Sequence, residues 1–329
     1  MSVTLPWLTA PWKQVAHALE ADRMPAGLLI VGRAGVGRLR LANLIARALL
    51  CLEPRSDGSS CGHCAACREM DAGAHPDCLA VHLLEGKTQI LVEQIRELTR
   101  GLSLTAGEKG LRCAIVSPAE KLSTTAANAL LKTLEEPPAG VTLILVADST
   151  AHLPPTIVSR CMRLPVPLPA SEEALAWLAG RSERPDWPLL LALAGGAPQA
   201  AERLAEETGE DLGKRLQSLL DAAGRRSDPL TVAGGFSAWP LPRFAALVAW
   251  LAWAVLHCSL AGSTSPWTLS KAKTFGALAA QADCKRLVVA WQGAIRVAAD
   301  PASLNAALAR EQLVLLFVSA FDCSKGRKS

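Results

Sequence analysis

Apolar positions along the first half of the chain switch repeatedly between two periods. The short continuous runs Leu28–Val31, Leu79–Leu83, Cys113–Val116 and Val141–Ala147 have the length and aliphatic content of buried strands. Between them the spacing becomes i, i+3, i+4, i+7, the mark of a helix with one apolar stripe. It is carried by Leu41, Leu44, Ile45 and Ala48 after Arg38, by Leu91, Ile95, Leu98 and Leu102, and by Ala127, Leu130, Leu131 and Leu134. The last of these helices has its own start and stop. Ser123 is placed to accept from the first free backbone N–H groups, and Pro137-Pro138 cannot continue the helix. Strands without polar alternation, each followed by a helix, predict an α/β domain whose parallel sheet is covered on both faces.

After Arg163 the pattern changes. Leu164-Pro165-Val166-Pro167-Leu168-Pro169 interleaves proline with apolar residues and reads as a linker that no regular element crosses. Beyond it there is no strand pattern. Short helices are predicted over Ser171–Ala179, Trp187–Ala194 and Pro198–Glu207, and longer ones from about Leu212 onward, including Phe244–Leu260, Lys285–Ala299 and Leu304–Phe321. The expected organisation is an α/β domain over residues 1–165, a small helical domain over 166–208 and an all-helical domain over 209–329. Phe244 to Leu256 is apolar throughout, but thirteen residues are too few to span a bilayer and read as a core helix. The first residues show no basic segment followed by an apolar one, so no export signal is expected, and the basic Lys325-Gly326-Arg327-Lys328 reads as a frayed tail. A soluble cytoplasmic protein with no membrane partner is the expectation.

Charge changes this picture little. The 34 Lys and Arg exceed the 30 Asp and Glu by four, well short of a basic stripe for nucleic acid. Candidate chemistry changes it more. Gly32-Arg33-Ala34-Gly35-Val36-Gly37-Arg38-Leu39 follows a predicted strand and opens a predicted helix, with the glycine frame of the phosphate loop G-x-x-x-x-G-K-[ST]. In that loop backbone N–H groups close round phosphates, Lys reaches the outer phosphates and the hydroxyl holds Mg²⁺. Here Arg38 stands for the Lys and Leu39 for the hydroxyl, and a leucine cannot ligate a cation. Gly32, Gly35, Gly37 and Arg38 thus keep the shape of a nucleotide-binding loop and are expected to have lost its function.

The ten cysteines are uneven along the chain. Cys51-x₉-Cys61-x₂-Cys64-x₂-Cys67 gathers four thiolates within seventeen residues, the donor set of a closed, structural tetrahedral zinc site. His63, His75 or Cys78 lies near enough to replace one ligand, and an iron–sulfur cluster is possible from ligand type alone, although this spacing is not a common one for it. Cys113, Cys161, Cys258, Cys284 and Cys323 are scattered and read as small core hydrophobes.

Two further segments are specific. Ala126-Ala127-Asn128-Ala129-Leu130-Leu131-Lys132-Thr133-Leu134-Glu135-Glu136-Pro137-Pro138 and Leu153-Pro154-Pro155-Thr156-Ile157-Val158-Ser159-Arg160-Cys161, with the loop and the four-cysteine insert, resemble bacterial clamp-loader subunits of the AAA+ class. The resemblance is dense over the α/β domain. It reaches the two helical parts, which would be a lid and an oligomerising collar, only through length and helical character. It implies that Ser117 and Pro118 stand where active relatives carry the Asp-Glu pair that holds Mg²⁺ and orients water; Glu120, two residues on, is expected on the far side of the turn. It places the neutral Gln199, in Gly195-Gly196-Ala197-Pro198-Gln199, where such relatives carry a sensing Arg. With Arg38 and Leu39, four nucleotide-handling positions are altered. ATP binding and hydrolysis are therefore not expected of this chain itself.

Ser159-Arg160-Cys161 is intact. The resemblance makes Arg160 an arginine finger that reaches ATP held by a neighbour, a task that suits a permanently charged, bidentate guanidinium. The other reading is an ordinary ion pair with a carboxylate at the sheet edge. The helix bearing Lys132, Glu135 and Glu136 is expected to serve packing and interfaces. Within the class, the departures point to a non-hydrolysing stator subunit of the DNA polymerase III holoenzyme. Its implied partners are the ATPase subunits (gamma/tau) and the opener subunit (delta) of a hetero-pentameric ring, with the sliding clamp and primer–template DNA engaged through that ring. Two alternatives stay open: an active ATPase subunit of the same class, and a zinc-dependent nucleic-acid-binding protein that acts without partners.

Overall fold

Five strands, β1 (Gly27–Val31), β2 (Cys78–His82), β3 (Arg112–Ser117), β4 (Val141–Ala147) and β5 (Met162–Pro165), form one all-parallel sheet in the order β2-β3-β4-β1-β5. The computed structural model describes residues 5–321 except 22, 105, 108, 209–211, 262–271 and 302–303, and not the side chains of 208, 272 and 273; Cys323 and the basic tail at 325–328 lie outside the described residues. The two-residue period of the strands divides their side chains between two apolar layers. Leu28, Ile30, Cys113, Ile115, Ile144 and Val146 face Val15 of α1 (Thr9–Glu20) and Leu41, Ile45 and Leu49 of α2 (Arg38–Leu50). Leu29, Ala114, Val116, Leu143 and Leu145 face Ile95 and Leu98 of α4 (Val92–Leu102) and Ala127, Leu130 and Leu134 of α5 (Thr124–Glu135). Both faces are covered, which is why these strands read as continuous apolar runs. The Ser123 hydroxyl caps α5, accepting from the Ala126 N–H at 3.2 Å, and the helix ends at Glu135, two residues before Pro137.

Two short helices complete this half: α3 (Ala65–Asp71), inside the cysteine-rich insert, and α6 (Pro155–Val158), just before β5. The expected linker at Leu164–Pro169 needs correction, because its first two residues belong to β5. The proline is tolerated there by position. β5 pairs only with β1, and the Val166 N–H donates to Val31 O at 2.7 Å. Residue 165 therefore turns its backbone nitrogen to the open edge, where a missing N–H costs no ladder bond. Helix α1 was not predicted, although Trp12, Val15, Ala16 and Leu19 carry the helical spacing; Pro11 sits in its first turn, where an unsatisfied N–H would be lost anyway.

The chain divides into two compact bodies, Met1–Trp177 with Ala197–Ala200, and Leu178–Gly196 with Ala201–Ser329. The remaining elements are all helices: α7 (Ser171–Ala179), α8 (Trp187–Leu193), α9 (Pro198–Thr208), α10 (Leu212–Ala223), α11 (Pro229–Gly234), α12 (Leu241–Ala261), α13 (Ala272–Gln281), α14 (Cys284–Ala299) and α15 (Ala306–Ser319). No strand follows Pro165 among the described residues. α12 is longer than the apolar run that announced it. At 21 residues it is long and apolar enough to cross a membrane by length and composition alone. In this body its Phe244, Leu247, Val248, Leu251, Ala252 and Val255 are buried, and it packs along α14 and against α13 and α15.

Candidate functional site

The carboxyl ends of parallel strands are where α/β folds present ligand-binding loops, and Gly32–Gly37 leaves β1 there to enter α2. Gly35 and Gly37 hold φ of +86° and +94°, a region that side-chain-bearing residues rarely adopt. Each is also closely overlaid. A Cβ at Gly35 would meet the Ala200 Cβ at 2.5 Å, and one at Gly37 would meet Leu5 Cδ1 at 2.5 Å. The loop's carbonyls are engaged as well: the Trp7 indole N–H donates to Val36 O at 2.8 Å, and the Gln199 N–H donates to Gly35 O at 3.0 Å.

Arg38 is not free for a phosphate. Its side chain is 11 % exposed and ion-paired with Asp148, the residue after β4, while its Nη1 is buried without a hydrogen-bond partner. Ser117, the last residue of β3, and Pro118 are joined by a cis peptide and supply no carboxylate. Glu120 corrects the expectation made for it. It is not turned away; its carboxylate accepts a long 3.4 Å hydrogen bond from the Asp148 N–H. The Asp148 carboxylate thus sits on the loop arginine and the Glu120 carboxylate on the Asp148 backbone. Leu39, where a cation-binding hydroxyl would be, is partly exposed.

Arg160 lies away from that loop, between α6 and β5. It pairs with Glu135 of α5 at 2.7 Å, both side chains substantially exposed (37 % and 49 %). Its Nη1 also donates to Thr156 O at 3.1 Å. Of the two readings of Arg160, the edge ion pair is formed within this chain. A surface pair of this kind is worth only about 0–1 kcal/mol, so releasing the guanidinium toward another acceptor costs little.

The four cysteines come together. Cys51 follows the last turn of α2, Cys61 and Cys64 flank a turn, and Cys67 lies in the first turn of α3. Cys51–Cys64 and Cys61–Cys67 are 3.9 Å apart and Cys51–Cys67 3.7 Å, sulfur to sulfur. A tetrahedron with metal–sulfur bonds of about 2.3 Å has edges of about 3.8 Å. All four thiols are buried, with their sulfurs within 4.8 Å of one another, and the cluster could hold a metal ion. Backbone N–H groups point at the sulfurs, from Cys61 to Cys51 at 3.3 Å and from Cys64 and His63 to Cys61 at 3.3 and 3.4 Å. Burial opposes ionisation of Cys64, but N–H groups of Cys67 and Leu52 outweigh it and bring that thiol down to about 6. Burial, reinforced by the neighbouring Cys64 and Cys51 thiols, pushes Cys67 up to about 12.

Of the suggested substitute ligands, His63 is exposed beside Glu53 at 3.6 Å, with a ring nitrogen within 4.8 Å of the Cys61 sulfur; His75 Nδ1 accepts from the Asp77 N–H at 3.1 Å, and Cys78 pairs in register with Cys113 of β3. Residues that were not singled out also belong to these sites: Asp148 and Trp7 at the loop, and Lys109, whose Nζ donates to Leu49 O at 2.7 Å and Cys51 O at 2.8 Å beside the cysteines. Each acts across a long stretch of sequence, and no local pattern marks it.

Comparison with known proteins follows the same lines. A family model described as "DNA polymerase III, delta subunit" matches residues 8–169. A DNA polymerase III subunit delta' of Yersinia pestis is 36 % identical over 234 residues, covering 69 % of this chain and 68 % of that protein. The chain belongs to the DNA polymerase III delta-prime family. Another member, from Pseudomonas aeruginosa, is 39 % identical over 209 residues, 62 % of each chain, so the match spans less than two thirds of that protein's length. Among solved structures, a DNA polymerase III gamma subunit-related protein of Thermotoga maritima superposes with a TM-score of 0.50 at 18 % identity, over 94 % of this chain and 99 % of the other. At that identity the likeness is one of fold, and the parallel α/β sheet followed by helices is the architecture expected from the sequence.

Proposed function

We propose that this delta-prime family member is a non-hydrolysing stator of the replicative clamp loader, and that it supplies Arg160 in trans to ATP held by a neighbouring subunit. The observation that carries this reading is the contrast between two arginines. Arg38, in the chain's own phosphate loop, is buried against Asp148 while the loop's carbonyls are taken by Gln199 and Trp7. Arg160 is exposed and held by a surface pair with Glu135 and by Nη1 bonds to its near neighbours Thr156 O and Ser159 Oγ. The partners in this reading are the gamma/tau ATPase subunits and the delta opener of a hetero-pentameric ring in the cytoplasm. The ring places the sliding clamp on primer–template DNA. Residues 166–208 then act as lid and 209–329 as collar. An arginine finger acts by stabilising charge on the transferred phosphoryl group.

The test is a ring reconstituted with its neighbouring subunits. Arg160→Ala is expected to leave the fold intact and to lower ring ATPase by a factor on the order of 10³. Unchanged ring activity removes the finger role, and ATP hydrolysis by the purified chain alone, well above background, overturns the stator reading.

We further propose Zn²⁺ as the ion of the four-cysteine cluster. Four thiolates close its tetrahedral shell and leave no position for substrate, so its contribution is structural. Elemental analysis of protein prepared under reducing, chelator-free conditions is expected to return one zinc per chain (~1 equivalent); no metal would remove the assignment.

A further inference from the structure

Around the four cysteines, one buried donor has no conventional partner. Arg47, on the last turns of α2, uses both terminal nitrogens on Asp71 at the end of α3, in a bidentate pair with Nη2–Oδ2 at 3.1 Å. The side chain is 11 % exposed, and its Nε is buried with no hydrogen-bond partner. What lies against the guanidinium is the sulfur of Cys67. A buried N–H left unpaired is costly. A neutral thiol satisfies it poorly, whereas a thiolate fixed by a metal is a full-charge acceptor in the same place.

A second cation stands on another side of the cluster. The Lys109 ammonium is tied to the carbonyls of Leu49 and Cys51, and it is within electrostatic reach of Cys51 and Cys64. Four thiolates around a divalent cation carry a net charge of about −2. In a site walled off from water such a charge needs counter-charge or hydrogen bonds close by. Arg47 and Lys109 provide both, from the α/β core rather than from the insert that holds three of the ligands.

We infer that Arg47, oriented by Asp71, is the outer-sphere donor to Cys67 of the metal centre, and that with Lys109 it sets how tightly the centre retains its ion. This rests on the metal reading above. Both are positioning residues, acting through ligands. Outer-sphere partners of this kind typically change metal affinity by about 10–100-fold.

The experiment loads full-length chain with Co²⁺ as a visible probe and Zn²⁺ as the competitor. It records the thiolate-to-cobalt charge-transfer band and the rate at which a chromogenic chelator withdraws zinc. Arg47→Gln is expected to raise the chelator's share at equilibrium about tenfold and to shift the charge-transfer band. Arg47→Lys should recover retention only in part, since it restores charge without the fixed Nε–H, and Lys109→Met should add to the loss. Asp71 is half exposed, so Asp71→Asn keeps the fold and is expected to move retention in the same direction, less far, which covers a failure of Arg47→Gln to fold. Band and retention unchanged from wild type in the Arg47 and Asp71 variants would overturn the inference while leaving the metal site standing. A wild-type chain that takes up neither ion overturns both.

Discussion

The two arginines most deeply committed in the first body, Arg38 and Arg112, illustrate what single residues disclose in sequence and what they conceal. Arg112 opens β3 and is buried, donating from Nε and Nη2 to Asp77 Oδ1 at 3.0 and 2.8 Å, while the Gly107 N–H reaches Asp77 Oδ2 at 3.1 Å. Asp77 and Arg112 are 5 % and 6 % exposed, so each charge has its counter-charge in the other and not in water. Arg112→Met leaves the carboxylate stranded and is expected to lower unfolding free energy by about 3–5 kcal/mol in urea titration. The double variant Asp77→Asn/Arg112→Met should recover part of that, and a loss under about 1 kcal/mol for the single variant would mean water reaches the pair. Neither this pair nor Arg38–Asp148 was legible beforehand, since nothing local links residues 35 or 110 positions apart. The four cysteines were legible because ligand chemistry imposes its own short spacing. Arg160 was legible as a position, but its partner Glu135 was not.

Among elements, the phosphate loop combines a preserved shape with occupied groups. Its glycines are needed for backbone conformation, and Leu5, Trp7, Gln199 and Ala200 lie close over it. Restoring the consensus residues by Arg38→Lys/Leu39→Ser is therefore expected not to restore hydrolysis. The pair at Ser117-Pro118 still offers no carboxylate, and a lysine in place of Arg38 still faces Asp148. Phosphate-release assays on the purified double variant should stay at background; turnover would show that two residues alone had silenced the loop. Elements with unbroken apolar runs and explicit caps were read within a residue or two: β4 runs Val141–Ala147 and α7 runs Ser171–Ala179, as the pattern implied. β5 was missed because an edge strand of four residues with one fully buried side chain carries almost no periodic signal. α12 begins three residues before the predicted Phe244, because Pro242 is accommodated in its first turn.

At the scale of the whole chain, the apolar interior falls into separate clusters with different dependence on the metal. The two layers on either side of the sheet draw on α1, α2, α4 and α5. The cysteine cluster forms a small core of its own with Ala66 and Leu52. That core is too small to hold itself together by burial. Six residues give little transfer energy at about 25 cal/mol per Å², and without the ion four thiols crowd one dry site. The sheet has no such need, because neither of its buried layers includes any of the four cysteines. Removing the proposed zinc should therefore melt the insert locally and spare the sheet. Hydrogen exchange with and without a chelator is expected to lose protection across residues 51–71, where α3 and the two turns depend on the ligands. Protection within β1, β3 and β4 should be unchanged, and the last turns of α2 should respond in between, since Arg47 ties them to Asp71. Loss of protection throughout the sheet would show that the metal stabilises the α/β body as a whole. No loss in the insert would show that hydrogen bonds such as Arg55 to Cys61 O at 3.0 Å are enough to hold it.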